Sequence, residues 1–280
     1  MNKLNIKLVT RLGVGLFALV LSSIYFVSCE VDEEQKLEER TWQLTWSDEF
    51  EGEAGTSPDA SKWGYDIGRG DNGWGNQELQ YYTDDPKNVS LDGEGNLVIT
   101  SLRETFGGAP FTSARINTKG KFAQKYGRFE ARMKTPYGPG LWPAFWMLGS
   151  NIDEVSWPQC GEIDIMEMRG QEPNRMYGTL HGPGYSAGLS IAKGYGLENS
   201  RFDTEFHIFA VEWGEDFIDF FVDDFLYSRL TPEDVPGEWV YNNEFFLILN
   251  VAVGGTYVGF PVSDTPFPQK MIVDYVRVYN

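Results

Sequence analysis

From about Thr41 to Asn280, short runs rich in Val, Ile, Phe, Tyr and Trp alternate with clusters of Gly, Pro, Asn and Asp. No internal repeat, low-complexity linker or long helical period interrupts this pattern. Many short strands separated by turn signals are typical of an antiparallel sandwich or barrel. We therefore expect a single all-β domain over 41–280, at a size near the upper limit for one hydrophobic core.

Individual runs support this expectation. In GRFEARMKT, the residues Phe129, Ala131 and Met133 fall on one face, and the charged residues between them fall on the other. FIDFFVDD ends in a turn signal that predicts a hairpin after residue 222. The last run, 271–280, extends to the C-terminus, so we expect truncation there to destabilise the fold.

Composition limits the class of partner. The net charge is −18, from 23 basic and 41 acidic residues, which excludes nucleic acid and argues against polyanionic polymers. Aromatic residues make up 15% of the chain, which fits either a β-rich core or a cleft that stacks flat sugar rings. Two cysteines exclude a disulfide framework, and two histidines with no CxxC argue against zinc.

The N-terminus has the pattern of an export signal. A basic start is followed by an apolar stretch over 12–27 and then by Cys29. This order predicts a lipoprotein signal peptide over 1–28, a lipidated Cys29 and a flexible acidic tether over 29–40. Phe26 departs from the usual lipobox, and an uncleaved membrane anchor is the alternative. We expect an exported protein, lipid-anchored at the outer membrane or cell surface of a Gram-negative bacterium.

The stretch GEIDIMEMRG contains three acids within six residues, Glu162, Asp164 and Glu167. In a regular strand, Glu167 would point into the core with the isoleucines, and a lone buried carboxylate is costly. One extra residue at Ile165–Met166, a β-bulge, would turn Glu167 to the face of the other two acids. We predict this bulge and a cleft lined by the three carboxyls.

Such a cluster has three interpretations. Glu162 and Glu167 could form the carboxyl pair of a retaining glycosidase, which needs a separation of about 5–5.5 Å, with Asp164 assisting the nucleophile. The acids could also bind Ca²⁺ or form a solvated polar face. The crowding predicts that Glu167 starts protonated.

Tryptophans surround these acids in the sequence. Trp142 and Trp146 would share one face of a strand just upstream, and Trp157 precedes the acids directly. Core packing is one explanation, and a cleft for a neutral polysaccharide is the other.

At this point the chain resembles glycoside hydrolase family 16, in the bulged form typical of laminarinases. The resemblance is carried in order by WSDEFEG, WGNQELQYYT, NLVITSLR, SARINTKGKFAQKYGRFEARMK, GLWPAFWMLG, WPQCGEIDIMEMRG, FHIFAVEW, LILNVAVGG and VDYVRVY. It implies a β-jelly-roll sandwich of two curved antiparallel sheets, with a concave face that carries the substrate cleft. It also implies retaining endo-hydrolysis of β-1,3-glucan or mixed-linkage β-1,3/1,4-glucan. An agarase-like hydrolase and a non-catalytic glycan-binding lipoprotein are the alternatives.

The resemblance assigns roles to residues. Glu162 corresponds to the nucleophile, Glu167 to the acid/base and Asp164 to the assisting aspartate. The cleft would be lined by a further set of residues: Trp142, Trp146 and Trp157, with Asn76, Glu78 and Arg115 on the non-reducing side and His181 on the leaving-group side. A structural role stays open for Glu78 and His181, and we expect His207 to serve packing.

The family also implies a structural calcium on the convex face, held by backbone carbonyls and one aspartate. The matching positions are Glu49, Gly95 and Asp274. We expect no cofactor for catalysis and a monomer, and we expect Cys160 to be a small buried filler.

Overall fold

The computed structural model describes residues 40–280, and the regular secondary structure of this region is almost entirely β-strand. The predicted signal peptide 1–28, Cys29 and the tether up to residue 39 lie outside the described residues. A short helix, α1, spans Ile152–Val155. The strands are β1 Leu44–Asp48, β2 Gly64–Tyr65, β3 Gln80–Tyr82, β4 Val89–Leu91, β5 Leu97–Ser101, β6 Phe111–Ser113, β7 Arg115–Asn117, β8 Gly127–Lys134, β9 Leu141–Gly149, β10 Glu162–Glu167, β11 Arg175–His181, β12 Ile191–Gly196, β13 His207–Trp213, β14 Ile218–Val222, β15 Phe225–Leu230, β16 Phe245–Val253 and β17 Gln269–Tyr279.

Two large antiparallel sheets contain most of these strands. One has the order β15-β14-β13-β8-β17-β5-β4, with β1 also paired to β17. The other has the order β12-β11-β10-β9-β16-β7-β2. A small parallel pair, β3 and β6, lies outside both. The predicted all-β sandwich is confirmed.

The core lies between the two sheets because each strand has one apolar face. Phe129, Ala131 and Met133 are fully buried, as the alternation in β8 predicts. Strand β16 is buried at all nine positions, as expected for a strand in the middle of its sheet. The predicted hairpin after β14 is confirmed, and its turn residues Asp223 and Asp224 both have positive φ, 49° and 64°.

The C-terminal strand is central. Strand β17 pairs with β8, β5 and β1, so three strands lose their partner if it is removed. This position explains why truncation should be destabilising. Within residues 40–280, no helix is long and apolar enough to cross a membrane.

Candidate active site

Strand β10 carries the predicted bulge. Asp164 pairs with Trp146 of β9, but Met166 already pairs with Phe145, so β10 has one residue more than its neighbour. The same shift occurs against β11. Ile165 and Met166 are both fully buried in the core cluster. Two consecutive core residues return Glu167 to the face of the other acids, and the predicted bulge is confirmed.

The neighbouring strands place side chains beside each acid. Glu162 is paired with His181 of β11, and Asp164 is paired with Thr179. Because paired residues of adjacent strands project from the same face, these side chains surround the acids on the outer face of the sheet. The site is therefore built from three consecutive strands, β9, β10 and β11.

Glu162 keeps contact with the cleft. The indole N–H of Trp157 donates a hydrogen bond of 2.8 Å to Oε2 of Glu162, and 41% of the Trp157 surface is exposed. Burial, followed by the neighbouring Asp164 carboxyl, raises the pKa of Glu162 to about 8. Its side chain is nevertheless 16% exposed, so cleft water and the indole donor both favour its ionised form.

Glu167 is more enclosed. The hydroxyl of Thr179 donates a 2.8 Å hydrogen bond to Oε1 of Glu167. The side chains of Trp142 and Tyr257 face the same carboxyl and contact each other, with ring centroids 4.9 Å apart. Burial is the largest effect on Glu167 and raises its pKa, against the smaller opposing effect of Thr179. This direction agrees with the expectation that Glu167 starts protonated.

Asp164 lies between the two glutamates and is 5% exposed. Burial and then the charge of Glu167 raise its pKa well above the ordinary value for an aspartate. Three carboxyls this close cannot all ionise, so the cluster retains protons at neutral pH. Because Glu162 has the Trp157 donor and contact with cleft water, we expect it to lose its proton before Asp164 and Glu167 do.

His181 contacts the cluster from β11. Its Nε2 atom lies 3.2 Å from Oδ2 of Asp164 and 3.6 Å from Oε1 of Glu162. These three side chains are the one group among residues 40–280 whose acidic and imidazole atoms lie close enough to share a cation, within 4.8 Å of one another. However, Nδ1 of His181 accepts the N–H of Ala187 at 3.1 Å, which leaves the ring proton on Nε2 and opposes metal binding there.

On the opposite side of β10, Arg115 of β7 is held between two aromatic rings. Its guanidinium carbon lies 4.7 Å from the ring centroids of both Trp74 and Trp146. Its Nε atom is 2.8 Å from Oδ2 of Asp66. The Trp146 indole N–H in turn donates to Asn250 at 2.7 Å. Arg115 and Trp146 thus form a rigid wall of the cleft, where the sequence placed them.

Glu78 lies in the same region but is only 6% exposed. Its carboxylate accepts hydrogen bonds from Gln80 at 2.6 Å, Asn76 at 3.2 Å and Tyr82 at 3.3 Å. Burial raises its pKa against the effect of these donors. The contacts favour the structural role that the sequence left open, because Glu78 has its partners inside the protein.

Comparisons with known proteins agree with this geometry. A family model described as "Glycosyl hydrolases family 16" matches residues 72–275, which is more than half of the chain. The chain belongs to glycoside hydrolase family 16. The family shows that the protein is a glycoside hydrolase and that its sandwich is the family's jelly-roll.

Individual relatives cover most of the chain. The beta-glucanase of Rhodothermus marinus is 44% identical over 248 residues, which cover 85% of each protein. The glucan endo-1,3-beta-glucosidase of Cryptopygus antarcticus is 39% identical and covers 78% of this chain and 83% of its own. The crystal structure of the laminarinase catalytic domain from Thermotoga maritima has a TM-score of 0.81 and 48% identity, covering 86% of this chain and 99% of that one. The chain spans only 34% and 38% of two longer curated relatives.

Several residues of this family 16 site were not identified from the sequence. Thr179 and Tyr257 beside Glu167, and Trp74 and Asp66 beside Arg115, are examples. Alternation within β11 could have flagged Thr179, which lies two residues before His181. Tyr257 lies in a loop, and Trp74 lies in a short π-helical turn, Gly73–Gln77, at a positive φ of 54°, so no periodicity predicts the direction of either side chain.

The calcium positions are only partly brought together. A Cβ atom on Gly95 would lie 4.0 Å from the carbonyl oxygen of Glu49, so these two residues are adjacent. The Glu49 carboxylate is paired with Arg277 through two hydrogen bonds of 3.0 and 2.7 Å, and Asp274 is paired with Arg132. A calcium ion here would have to be held by backbone oxygens and one Asp274 oxygen, because Arg277 pairs with the Glu49 carboxylate.

Proposed function

We propose that this chain is an endo-acting hydrolase of β-1,3-glucan that also cleaves mixed-linkage β-1,3/1,4-glucan. The observation that carries the proposal is the bulge in β10, which places Glu162 and Glu167 on one open face with Asp164 between them. Relatives named as beta-glucanase, glucan endo-1,3-beta-glucosidase and laminarinase support this class of substrate.

The mechanism is retaining double displacement. Glu162 attacks the anomeric carbon, and Glu167 gives its proton to the departing glucosyl oxygen. Glu167 then acts as base for the water that releases the glycosyl-enzyme. Asp164 keeps its proton through the covalent step and shares it by a hydrogen bond with the Glu162 carboxylate once that group departs from the sugar. The order argued above, in which Glu162 loses its proton before Glu167 does, is the order this reaction needs.

Endo-action is supported by cleft residues on both sides of β10. Arg115 and Trp146 lie toward β7 and β9, where we place the non-reducing part of the glucan. Tyr177 of β11 lies on the other side, paired with Glu167. Next to it on the edge strand β12, Gly194 has no side chain, and the Tyr177 ring and the Arg175 guanidinium lie over it and offer a platform for the polymer. A glucan chain laid across the strands can therefore continue past the catalytic acids in both directions.

Reducing-sugar release on laminarin, barley β-glucan and agarose tests the proposal. We expect release from laminarin, weaker release from barley β-glucan and none from agarose. The variant Glu162→Ala should lose turnover and keep oligosaccharide binding. Proton NMR of the first product should show the β-anomer. Activity on agarose alone, or an α-anomer as first product, would overturn the proposal.

We also keep the proposal of a lipid anchor on Cys29, with export to the outer membrane or cell surface. It rests on the order of basic, apolar and cysteine residues in the sequence. Metabolic labelling with a fatty acid should mark the wild-type chain and not Cys29→Ser. Equal labelling of both proteins would contradict it.

A further inference from the structure

We propose that the backbone N–H of Ala187 locks His181 as the neutral Nε2–H tautomer, which places a fixed Nε2–H beside the Glu162–Asp164 pair. In this role His181 is a positioning residue. The inference rests on the proposed function for its catalytic consequence, but the lock itself is a property of the free enzyme.

The first step is the contact at Nδ1. The N–H of Ala187 points at Nδ1 of His181 with a donor–acceptor distance of 3.1 Å. A nitrogen that accepts a hydrogen bond cannot carry a proton, so a neutral ring must have its proton on Nε2. Protonating the ring would place an Nδ1–H directly against the Ala187 N–H.

The loop holds Ala187 in an unusual conformation. Its φ is +50°, in the left-handed region that residues other than glycine, asparagine and aspartate rarely adopt. Gly188 follows in the same short 3-10 turn, Ala187–Leu189. The backbone of His181 is held as well, because its carbonyl oxygen accepts a hydrogen bond from the hydroxyl of Tyr241 at 2.9 Å. A strained backbone N–H aimed at one ring nitrogen is consistent with a functional contact.

The second step is what the Nε2–H faces. It lies 3.2 Å from Oδ2 of Asp164 and 3.6 Å from Oε1 of Glu162. Oδ2 of Asp164 is shielded from solvent and has no well-formed hydrogen bond among the described residues. A donor fixed beside that oxygen supports the single negative charge that Glu162 and Asp164 share.

The ionisable groups around the ring are all acidic. Glu162 and Asp164 of β10 lie beside Nε2, with Glu167 further along the strand. Trp157, whose ring centroid is 5.9 Å from that of His181, adds no charged group. The Ala187 N–H at Nδ1 fixes the ring proton at Nε2, on the side of these carboxyls.

The tautomer can be observed directly, because the chain has only two histidines. Long-range ¹⁵N–¹H NMR of the ¹⁵N-labelled catalytic domain would show two imidazoles, and the variant His207→Gln assigns them. We expect Nδ1 of His181 unprotonated, Nε2 protonated, and a scalar coupling across the hydrogen bond between Ala187 N and His181 Nδ1. The opposite tautomer, or a doubly protonated ring at pH 7, would overturn the proposal.

Two variants test the consequence for catalysis. His181→Gln keeps an amide N–H near the position of Nε2, whereas His181→Asn places its amide near Nδ1 and leaves Asp164 without the donor. We expect His181→Asn to lose at least tenfold more kcat than His181→Gln, with the acid limb of its pH profile shifted upward. Equal kcat values and an unchanged profile for both variants would overturn the positioning role.

These readouts separate the lock from the proposed function. If wild-type enzyme fails to cleave laminari-oligosaccharides, the proposed function is wrong, and the NMR result still decides the lock. If the oligosaccharides are cleaved but the tautomer is reversed, the lock alone is wrong.

Discussion

At the residue scale, the nucleophile is held in a costly environment. Burial and the neighbouring Asp164 raise the pKa of Glu162 to about 8, far above that of an exposed glutamate. An acid whose pKa is raised on folding binds more protons in the folded state. It therefore destabilises the fold progressively as the pH rises from about 4.5 toward 8. The active site is assembled at the expense of stability.

Glu162→Gln removes this cost. We expect the variant to be inactive. Its Tm should match the wild-type Tm near pH 4, where the wild-type Glu162 carboxyl is mostly protonated in both the folded and the unfolded state. At pH 9 the Tm of the variant should exceed that of the wild type by roughly 2–8 °C. This range corresponds to a gain in the free energy of unfolding on the order of 1–2 kcal/mol, once screening of the Glu162 charge by cleft water is included. Differential scanning calorimetry at the two pH values measures the gap. A gap of the same size at pH 4 would point to packing and not to ionisation.

Tyr177 is expected to bind the leaving part of the glucan. Its ring lies across Gly194, where a Cβ atom would come within 3.1 Å, and the guanidinium groups of Arg169 and Arg175 are each 5.4 Å from its centroid. Tyr177→Ala should lower kcat/KM on laminarin about tenfold, or ~1.4 kcal/mol. The same variant should leave kcat/KM on an aryl laminaribioside unchanged, because that substrate has no sugar beyond the cleaved bond.

The matched control for Tyr177 is Phe225→Ala. Phe225 is 54% exposed and lies on β15, in the opposite sheet. This variant should leave kcat/KM unchanged on both laminarin and the aryl laminaribioside. Equal losses on laminarin and on the aryl glycoside for Tyr177→Ala would argue against a leaving-group site.

At the element scale, the bulge in β10 decides whether the acids meet. Side chains alternate along a strand, so one extra residue exchanges the faces of everything beyond it. Without it, Glu167 would enter the core between the sheets. The bulge is therefore a structural condition for a carboxyl pair that is five residues apart on a single strand.

Deleting Ile165 restores a regular count, because the shortened run Glu162-Ile163-Asp164-Met166-Glu167 alternates without a bulge. All three acids then keep the cleft face while the core loses one side chain, so we expect a lower Tm and measurable hydrolysis of laminarin. The control Ile165→Val keeps the bulge and should cost about 0.5–1.5 kcal/mol of stability while the enzyme stays active. A folded deletion variant without turnover would contradict this account of β10.

At the scale of the whole molecule, the proposed calcium would stabilise the fold without entering the chemistry. Glu49 follows β1, and Asp274 lies in β17, its partner strand, so a cation there would tie the first and last strands of the sheet. This position is on the sheet opposite the catalytic one. Loss of the ion should affect unfolding and not turnover.

Chelation tests this. A calcium ion present at a hundred times its Kd stabilises the folded state by ~2.7 kcal/mol. EDTA should therefore lower the Tm by about 5–10 °C, and excess calcium should restore it. The kcat measured well below the Tm should be unchanged. In Asp274→Asn the chelator should have little further effect. A wild-type Tm that is the same with EDTA and with calcium would exclude the site.

The sequence by itself determined the sandwich, the faces of strands such as β8, and the bulge that brings Glu162 and Glu167 together. These follow from alternation, which is a local property, and the misplaced Glu167 was itself the signal. The ordered motifs added the family and the roles of the acids.

Only the tertiary structure decided which distant side chains complete the site. Thr179 and Tyr257 beside Glu167, and Ala187 beside His181, depend on strand order and loop path, which periodicity does not specify. Glu78 is turned inward because three donors from its own segment surround it. Alternation predicts which face a residue occupies, whereas the order of strands in the sheet decides which residues meet there.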